Sequence, residues 1–390
     1  MHEHDPAVAR RGHGTSSRTT AVAAALAAGI LVGAAAAPAV LGAGRGPADT
    51  ALTSDSHADN ETIISVAARL SPSVVTLVVV GERAAPELPE GFEGFGPPDG
   101  VMRGTGSGVI VDADGLILTN AHVVDGATEV EAILSDGNRE RGEVVGIDTY
   151  TDLAVVRIEG SGYPAAELGS SAGLRVGQLA VAIGSPLGEF MGSVSAGIVS
   201  GLDRTIVVGS MGGGSRLRHL IQTDAAINPG NSGGVLADRD GRIIGINTAV
   251  AGNAEGIGFA IPIDIARPIV EQARAGERIA RPWMGIMFQD VDAQVAEDND
   301  LPAITGAWIA PPEDTAGTAV VDGSPAADAG LRAGDIIRSL GGQTIDRDHP
   351  LDLVLLGHAP GATVPLTVLR DGEEIALEVT LGTRPADLGR

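Results

Sequence analysis

Residues 74–80, Val-Val-Thr-Leu-Val-Val-Val, form a strand-length β-branched run with no helical period. Short apolar runs of the same kind recur at 153–158, 179–183, 194–199 and 243–247, separated by Gly and Asp turns. Residues 106–118 read as two strands around an Asp112-Ala113-Asp114-Gly115 turn. Many short strands with this punctuation predict an antiparallel barrel or sandwich rather than alternating βαβ units. The period becomes helical only after Pro262, where Ile265, Ile269, Val270 and Ala273 recur at helical spacing and Pro268 falls near the first turn. Pro262 therefore ends the barrel, and residues 276–282 form a linker to the C-terminal part of the chain.

The N-terminal pattern differs. No charge interrupts residues 19–44, and 21–34 are almost wholly apolar; a membrane span needs about 20 such residues. Arg10, Arg11 and Arg18 precede the run, which places residues 1–20 in the cytoplasm and the rest outside. A retained transmembrane anchor over 21–44 is the expectation; a signal segment cleaved near Ala37-Pro38-Ala39 is the alternative, and both export the chain. Residues 45–60 are polar and read as a flexible tether to a domain over 61–276. Residues 82–103, with Phe92 and Phe95, and the glycine-rich 208–215 read as loops.

Composition narrows the function. The 390 residues have room for two or three domains, and 44% are apolar, enough for ordinary cores. A formal net charge of -24 argues against a nucleic-acid partner, which needs clustered positive charge. Cysteine is absent, so neither disulfides nor a thiolate zinc site exist. His2, His4, His13 and His57 lie in polar segments, and His219, His349 and His358 lack metal-ligand spacing, so no metal or organic cofactor is expected.

Candidate chemistry centres on Asn228-Pro229-Gly230-Asn231-Ser232-Gly233-Gly234. A serine among glycines suits a nucleophile whose neighbouring N–H groups must reach an oxyanion. A serine hydroxyl needs a base near neutral pKa, and His122 follows a predicted strand in Thr119-Asn120-Ala121-His122-Val123-Val124. A carboxylate must fix the imidazole tautomer, and Asp152 opens an apolar run in Thr151-Asp152-Leu153-Ala154-Val155. Gly230, Asn231 and Ser232 form the candidate oxyanion loop.

With Gln222–Ile227 leading into the Ser232 loop and Gly256-Ile257-Gly258-Phe259-Ala260-Ile261-Pro262 after it, these motifs resemble the HtrA/Deg serine proteases in order and spacing across about residues 63–384. A departure is Val235, where family members often carry Pro. The resemblance implies a mainly β fold: a trypsin-like double antiparallel β-barrel over 61–276 followed by an α+β PDZ domain over 282–384. His122 and Asp152 then lie on the first half and Ser232 on the second. In trypsin-like pockets the residue six before the serine lines S1; here it is Ala226, followed by Ile227, and neither pairs with a basic side chain. Cleavage after small or medium aliphatic residues is therefore expected, with Asp224 reserved for a structural hydrogen bond.

Trp283-Met284-Gly285-Ile286 and the later Gly330-Leu331-Arg332-Ala333-Gly334-Asp335 resemble an HtrA-type PDZ module. Met284, Gly285 and Ile286 are placed at its carboxylate-binding loop, Trp283 and Trp308 in its core, and residues 294–314 read as an insertion. The resemblance further implies an ATP-independent endopeptidase for unfolded exported proteins, C-terminal peptides as PDZ ligands, and a homotrimer or larger assembly in which Phe92 and Phe95 reach a neighbour. A non-cleaving chaperone or peptide-binding scaffold is the alternative.

Overall fold

The computed structural model of the chain describes residues 51–82, 101–185, 192–208, 215–250, 256–311 and 318–385. The 1–20 tail, the apolar 21–44 segment, Phe92, Phe95 and the glycine stretch 209–214 lie outside them. Among the described residues no helix is long and apolar enough to cross a membrane.

Helix α1 (Ala51–Leu70) begins inside the stretch expected to be a tether. Neither Gly nor Pro interrupts it, and Val66 and Leu70 are buried at helical spacing with Ile63 packed beside them. Those anchors set the axis, and helix-compatible residues upstream continue it.

Among the described residues, twelve strands close two six-stranded antiparallel barrels. The first contains β1 (Val74–Glu82), β2 (Val101–Asp112), β3 (Leu116–Thr119), β4 (Ala127–Ile133), β5 (Arg139–Asp148) and β6 (Leu153–Ile158), in the order β1-β2-β3-β6-β5-β4. The predicted Asp112–Gly115 turn joins β2 to β3, closed by Gly115 N–H donating to Asp112 O at 3.1 Å. The one-turn helix α2 (Ala121–Val124) follows β3. The second barrel contains β7 (Leu179–Gly184), β8 (Ser193–Val208), β9 (Ser215–Thr223), β10 (Val235–Ala237), β11 (Ile243–Val250) and β12 (Gly258–Pro262). Val235 starts β10 and pairs with both Ile183 and Ile246, so a residue with an N–H extends the ladder there.

Helix α3 (Ile263–Arg274) follows Pro262 directly, and its buried stripe of Ile265, Ile269, Val270 and Ala273 joins a core shared by both barrels. The next module pairs its two ends, β13 (Pro282–Trp283) with β20 (Gly382–Thr383). Its main sheet contains β14 (Gln289–Asp290), β15 (Ala307–Trp308), β16 (Ile336–Leu340), β17 (Gln343–Thr344), β18 (Thr363–Arg370) and β19 (Glu373–Thr380). Short helices α4 (Ala293–Asp298), α5 (Pro325–Asp328) and α6 (Leu351–Leu356) complete it.

The expected insertion at 294–314 is corrected by this sheet. It supplies α4 and then β15, an inner strand between β14 and β16. Two residues are too few to show a strand period among acidic and Pro-containing neighbours. Trp308 packs on the cluster of Val291, Ala296 and Ile336, and Trp283 is half-buried. Asp335 of the Gly-Asp motif is fully buried and takes both forks of Arg370, at 2.7 and 2.8 Å.

Candidate active site

The site forms where three loops meet. After β3 the chain turns at Asn120, whose extended backbone starts α2. Ala121 and Val124 are buried on the inner side of that single turn, while the His122 side chain, half exposed, projects outward. Asn120 does not cap the helix; its side-chain amide donates to Asp152 O at 2.9 Å, and Ala121 N–H donates to the same oxygen at 3.1 Å.

Asp152 has φ +58, a left-handed conformation that side-chain-bearing residues seldom adopt. Contacts on every side hold it there. Its buried carboxylate accepts from His122 N–H at 2.9 Å through Oδ1 and from Thr248 Oγ1 at 2.7 Å through Oδ2. His122 Nδ1 lies 2.9 and 2.8 Å from the two oxygens. The preceding turn is braced as well: Asp148 accepts from Tyr150 N–H at 3.1 Å, from Thr151 Oγ1 at 2.6 Å, and from Arg281 Nε. Arg281 Nη2 also donates to Thr151 Oγ1 at 2.7 Å.

The serine loop joins β9 to β10. Asn231 N–H donates to Asn228 O and Gly233 N–H to Asn247 O, each at 2.9 Å. Gly233 has φ +84, and a Cβ there would overlap the Ser107 carbonyl and the Thr119 hydroxyl, so only glycine fits. Ser232 Oγ donates to Thr248 O at 2.9 Å rather than to His122. Thr248 therefore holds Asp152 by its hydroxyl and Ser232 by its carbonyl. It has no role in the sequence reading, although a hydroxyl directly after the apolar run of β11 was a signal for it.

Of the three candidate oxyanion residues, Asn231 has its N–H spent on Asn228. Among the described residues, the N–H groups of Gly230 and Ser232 have no partner. Ala226 is exposed, and its carbonyl accepts from Ser195 Oγ at 2.9 Å. Ile227 is buried in the second barrel's core with Ala225 and Leu236, so only Ala226 of the S1 pair reaches the surface. Asp224 takes the structural bond expected of it, accepting from Ile198 N–H at 2.6 Å. An imidazole held by a buried carboxylate, a serine tied to that carboxylate through Thr248 and two unengaged N–H groups are the parts that acyl transfer uses.

Known proteins bear on this geometry. Residues 106–246 match the trypsin-like peptidase domain, and residues 282–381 match the PDZ domain. A protein of Halomonas elongata named as a periplasmic serine endoprotease, DegP-like, is 41% identical over 323 residues, 78% of this chain and 65% of its own length. The Synechocystis protein named as serine protease HhoA is 38% identical over 353 residues, covering 85% of this chain and 86% of that one. The solved structure of the HtrA-type protease AlgW with a decapeptide superposes with a TM-score of 0.62 at 32% identity, over 83% of this chain and 99% of that one. The chain belongs to the HtrA family of serine proteases.

In this HtrA chain the second module meets the barrels through specific contacts. Leu353 and Leu356 of α6 pack on the barrels' shared core, and Gln272 of α3 exchanges two hydrogen bonds with the backbone of Ala280. His219, isolated in the sequence, is corrected by the fold into a bridging residue. Its Nδ1 lies 2.7 Å from Asp203 of β8, and its Nε2 lies 2.8 Å from both oxygens of Asp352 on α6. Burial pulls the His219 pKa down, but the hydrogen bonds and charges of the two carboxylates outweigh it and raise the value to about 9.

At the candidate PDZ loop, Met284 is buried in the module's core and Gly285 has φ +83. A Cβ on Gly285 would overlap Ser324, which packs against it. The carbonyls of Met284 and Gly285 accept from Ala326 N–H at 2.8 Å and Val321 N–H at 2.9 Å. The N–H groups of Gly285 and Ile286 have no partner among the described residues.

Proposed function

We propose that this chain is an exported, ATP-independent serine endopeptidase acting on unfolded or damaged proteins, with Ser232 as nucleophile, His122 as general base and Asp152 as the carboxylate that orients it. The observation that carries this reading is the grip of buried Asp152 on His122 Nδ1, which leaves Nε2 to take a proton. In the first step Ser232 Oγ swings from Thr248 O to His122, gives up its proton to Nε2 and attacks the scissile carbonyl. The N–H groups of Gly230 and Ser232 take the charge that develops on the carbonyl oxygen. His122 then returns the proton to the leaving amine; in the second step water, deprotonated by His122, attacks the acyl-enzyme, the bond to Ser232 Oγ breaks, and the carboxylic product leaves as Oγ takes its proton back. Ala226 beside the site favours small or medium aliphatic residues at P1, which a peptide library with each residue at P1 tests; preference for Arg or Lys refutes it.

The PDZ module takes apolar C-terminal peptides, with the free N–H groups at Gly285 and Ile286 facing the terminal carboxylate. The apolar 21–44 segment anchors the chain so that the catalytic domain works outside the cytoplasm, in keeping with the periplasmic designation of the Halomonas relative. A homotrimer or larger oligomer is the expected assembly. The experiment is fragmentation of casein by the purified protein and its Ser232→Ala variant, with and without an apolar C-terminal peptide. Cleavage by the parent alone supports the reading. If there is no cleavage and Ser232 is not labelled by a fluorophosphonate, the chain is a non-cleaving binder.

A further inference from the structure

Ser107 lies on β2 of the first barrel, fully buried, directly against the serine loop of the second. Its N–H donates to Ser232 O at 2.8 Å, and its hydroxyl donates to Gly230 O at 2.6 Å. That hydroxyl also accepts from Ser185 N–H at 2.7 Å, and the Ser185 hydroxyl meets Thr76 Oγ1 at 2.5 Å. The Ser107 carbonyl accepts from Thr119 Oγ1 at 2.7 Å, three residues before His122. Gly106 and Gly108 flank it, and a Cβ on either would stand 2.6 Å from Val123 or Ile117 of the same barrel, so the strand that carries Ser107 packs tightly on its own barrel.

The pattern along the loop gives these bonds a consequence. The peptide units 230–231 and 232–233 are fixed at both ends: their carbonyls by Ser107, their N–H groups by Asn228 and Asn247. The alternate units, 229–230 and 231–232, carry the unengaged N–H groups of Gly230 and Ser232, and the carbonyl of the second accepts from Gly234 N–H at 2.9 Å. Because successive peptide planes share a Cα, fixing every second plane limits where the intervening N–H groups can point. We infer that Ser107 is a positioning residue for the oxyanion site, reaching across from the other barrel to set the direction of the two donors. Its hydroxyl has a single proton, and that proton is committed to Gly230 O.

This inference rests on the proposed proteolytic reading, and the two can fail separately. The experiment measures peptide hydrolysis by the parent, Ser107→Ala and Ser107→Cys, together with affinity for a peptidyl boronate, whose tetrahedral adduct occupies the oxyanion site. Ser107→Ala is expected to lower kcat about 10- to 100-fold with KM within about twofold, and to weaken boronate binding by the same factor. Ser107→Cys, with a weaker donor, is expected to fall between the two. Thermal melting of each variant checks folding. If Ser107→Ala is folded and keeps the parent's kcat and boronate affinity, the inference is overturned; if it does not fold, Ser107→Cys decides by the same readouts. A parent that neither cleaves nor reacts at Ser232 overturns the underlying proteolytic reading instead.

Discussion

His122 and His219 are both gripped by carboxylates at 2.7–2.9 Å, and the difference between them lies in what is left over. His122 gives only Nδ1 to a carboxylate, stands half exposed on a single turn, and keeps Nε2 clear of any carboxylate. His219 has Asp203 on one nitrogen and Asp352 on the other, with its side chain 10% exposed. Both of its N–H groups are committed, so it holds its proton to about pH 9 and serves as a fixed cation. One carboxylate orients a histidine; two convert it into a structural charge, here joining β9 of the barrels to α6 of the second module.

The largest effect that sharpens this contrast is on turnover. His122→Ala is expected to lower kcat roughly 10⁴- to 10⁶-fold, measured with a short peptide substrate. His219→Gln is expected to change the same rate by less than about threefold. A comparable loss from both variants breaks the distinction.

Next in size is Thr248→Val, which removes the hydroxyl on Asp152 and keeps the backbone carbonyl. A hydrogen bond to a charged group contributes about 1.5–3 kcal/mol, so kcat is expected to fall about 10- to 100-fold while the fold melts near the parent's temperature. Unchanged kcat would show that Asp152 is held well enough by His122 N–H and the backbone around it.

His219→Gln acts instead on stability. It leaves Asp352, largely buried, without its cation, and a loss on the order of 2–4 kcal/mol is expected. Calorimetry should register this as a drop of several degrees, centred on the junction between modules.

The smallest effect is the pH dependence of that drop. Because the folded pKa of His219 is raised, its contribution is fully present below its ordinary value of 6.5 and is lost as pH rises through about 9. On the acid side, Asp203 is held below the usual carboxylate range by the hydrogen bond from His219, which outweighs its burial. Its contribution is lost as pH falls through that depressed value. Melting temperatures of the parent and His219→Gln should therefore differ most at mildly acidic pH, below 6.5 and above the depressed range of Asp203, and converge by about pH 10. A difference that stays constant from pH 7 to 10 removes His219 titration from the account.

The candidate site residues stood out in the sequence because their neighbours are distinctive: glycines around Ser232, and apolar runs beside His122 and Asp152. The barrel strands were legible from β-branched runs between Gly and Asp turns, and β6 falls where its run predicts. What the sequence hid is set by distance along the chain. Thr248 reaches Asp152 across 96 positions, and His219 reaches Asp352 across 133. No local pattern reports a partner that far away. The two-residue β15 and the early start of α1 escaped for the opposite reason: one is too short to show a period, and the other is carried by packing further along the helix.

The second module leaves and rejoins the barrels at nearly one point. Arg281, just before β13, and Arg384, just after β20, both lie over the ring of Tyr150, at 5.7 and 4.4 Å. The backbone ties these ends together as well, with Arg384 N–H donating to Arg281 O at 2.9 Å. A bead held by one thread swings freely; a handle bolted at both feet to the same plate does not. The plate here is the turn 148–151, whose next residue is Asp152, so both feet of the module are anchored within two residues of the carboxylate that grips His122.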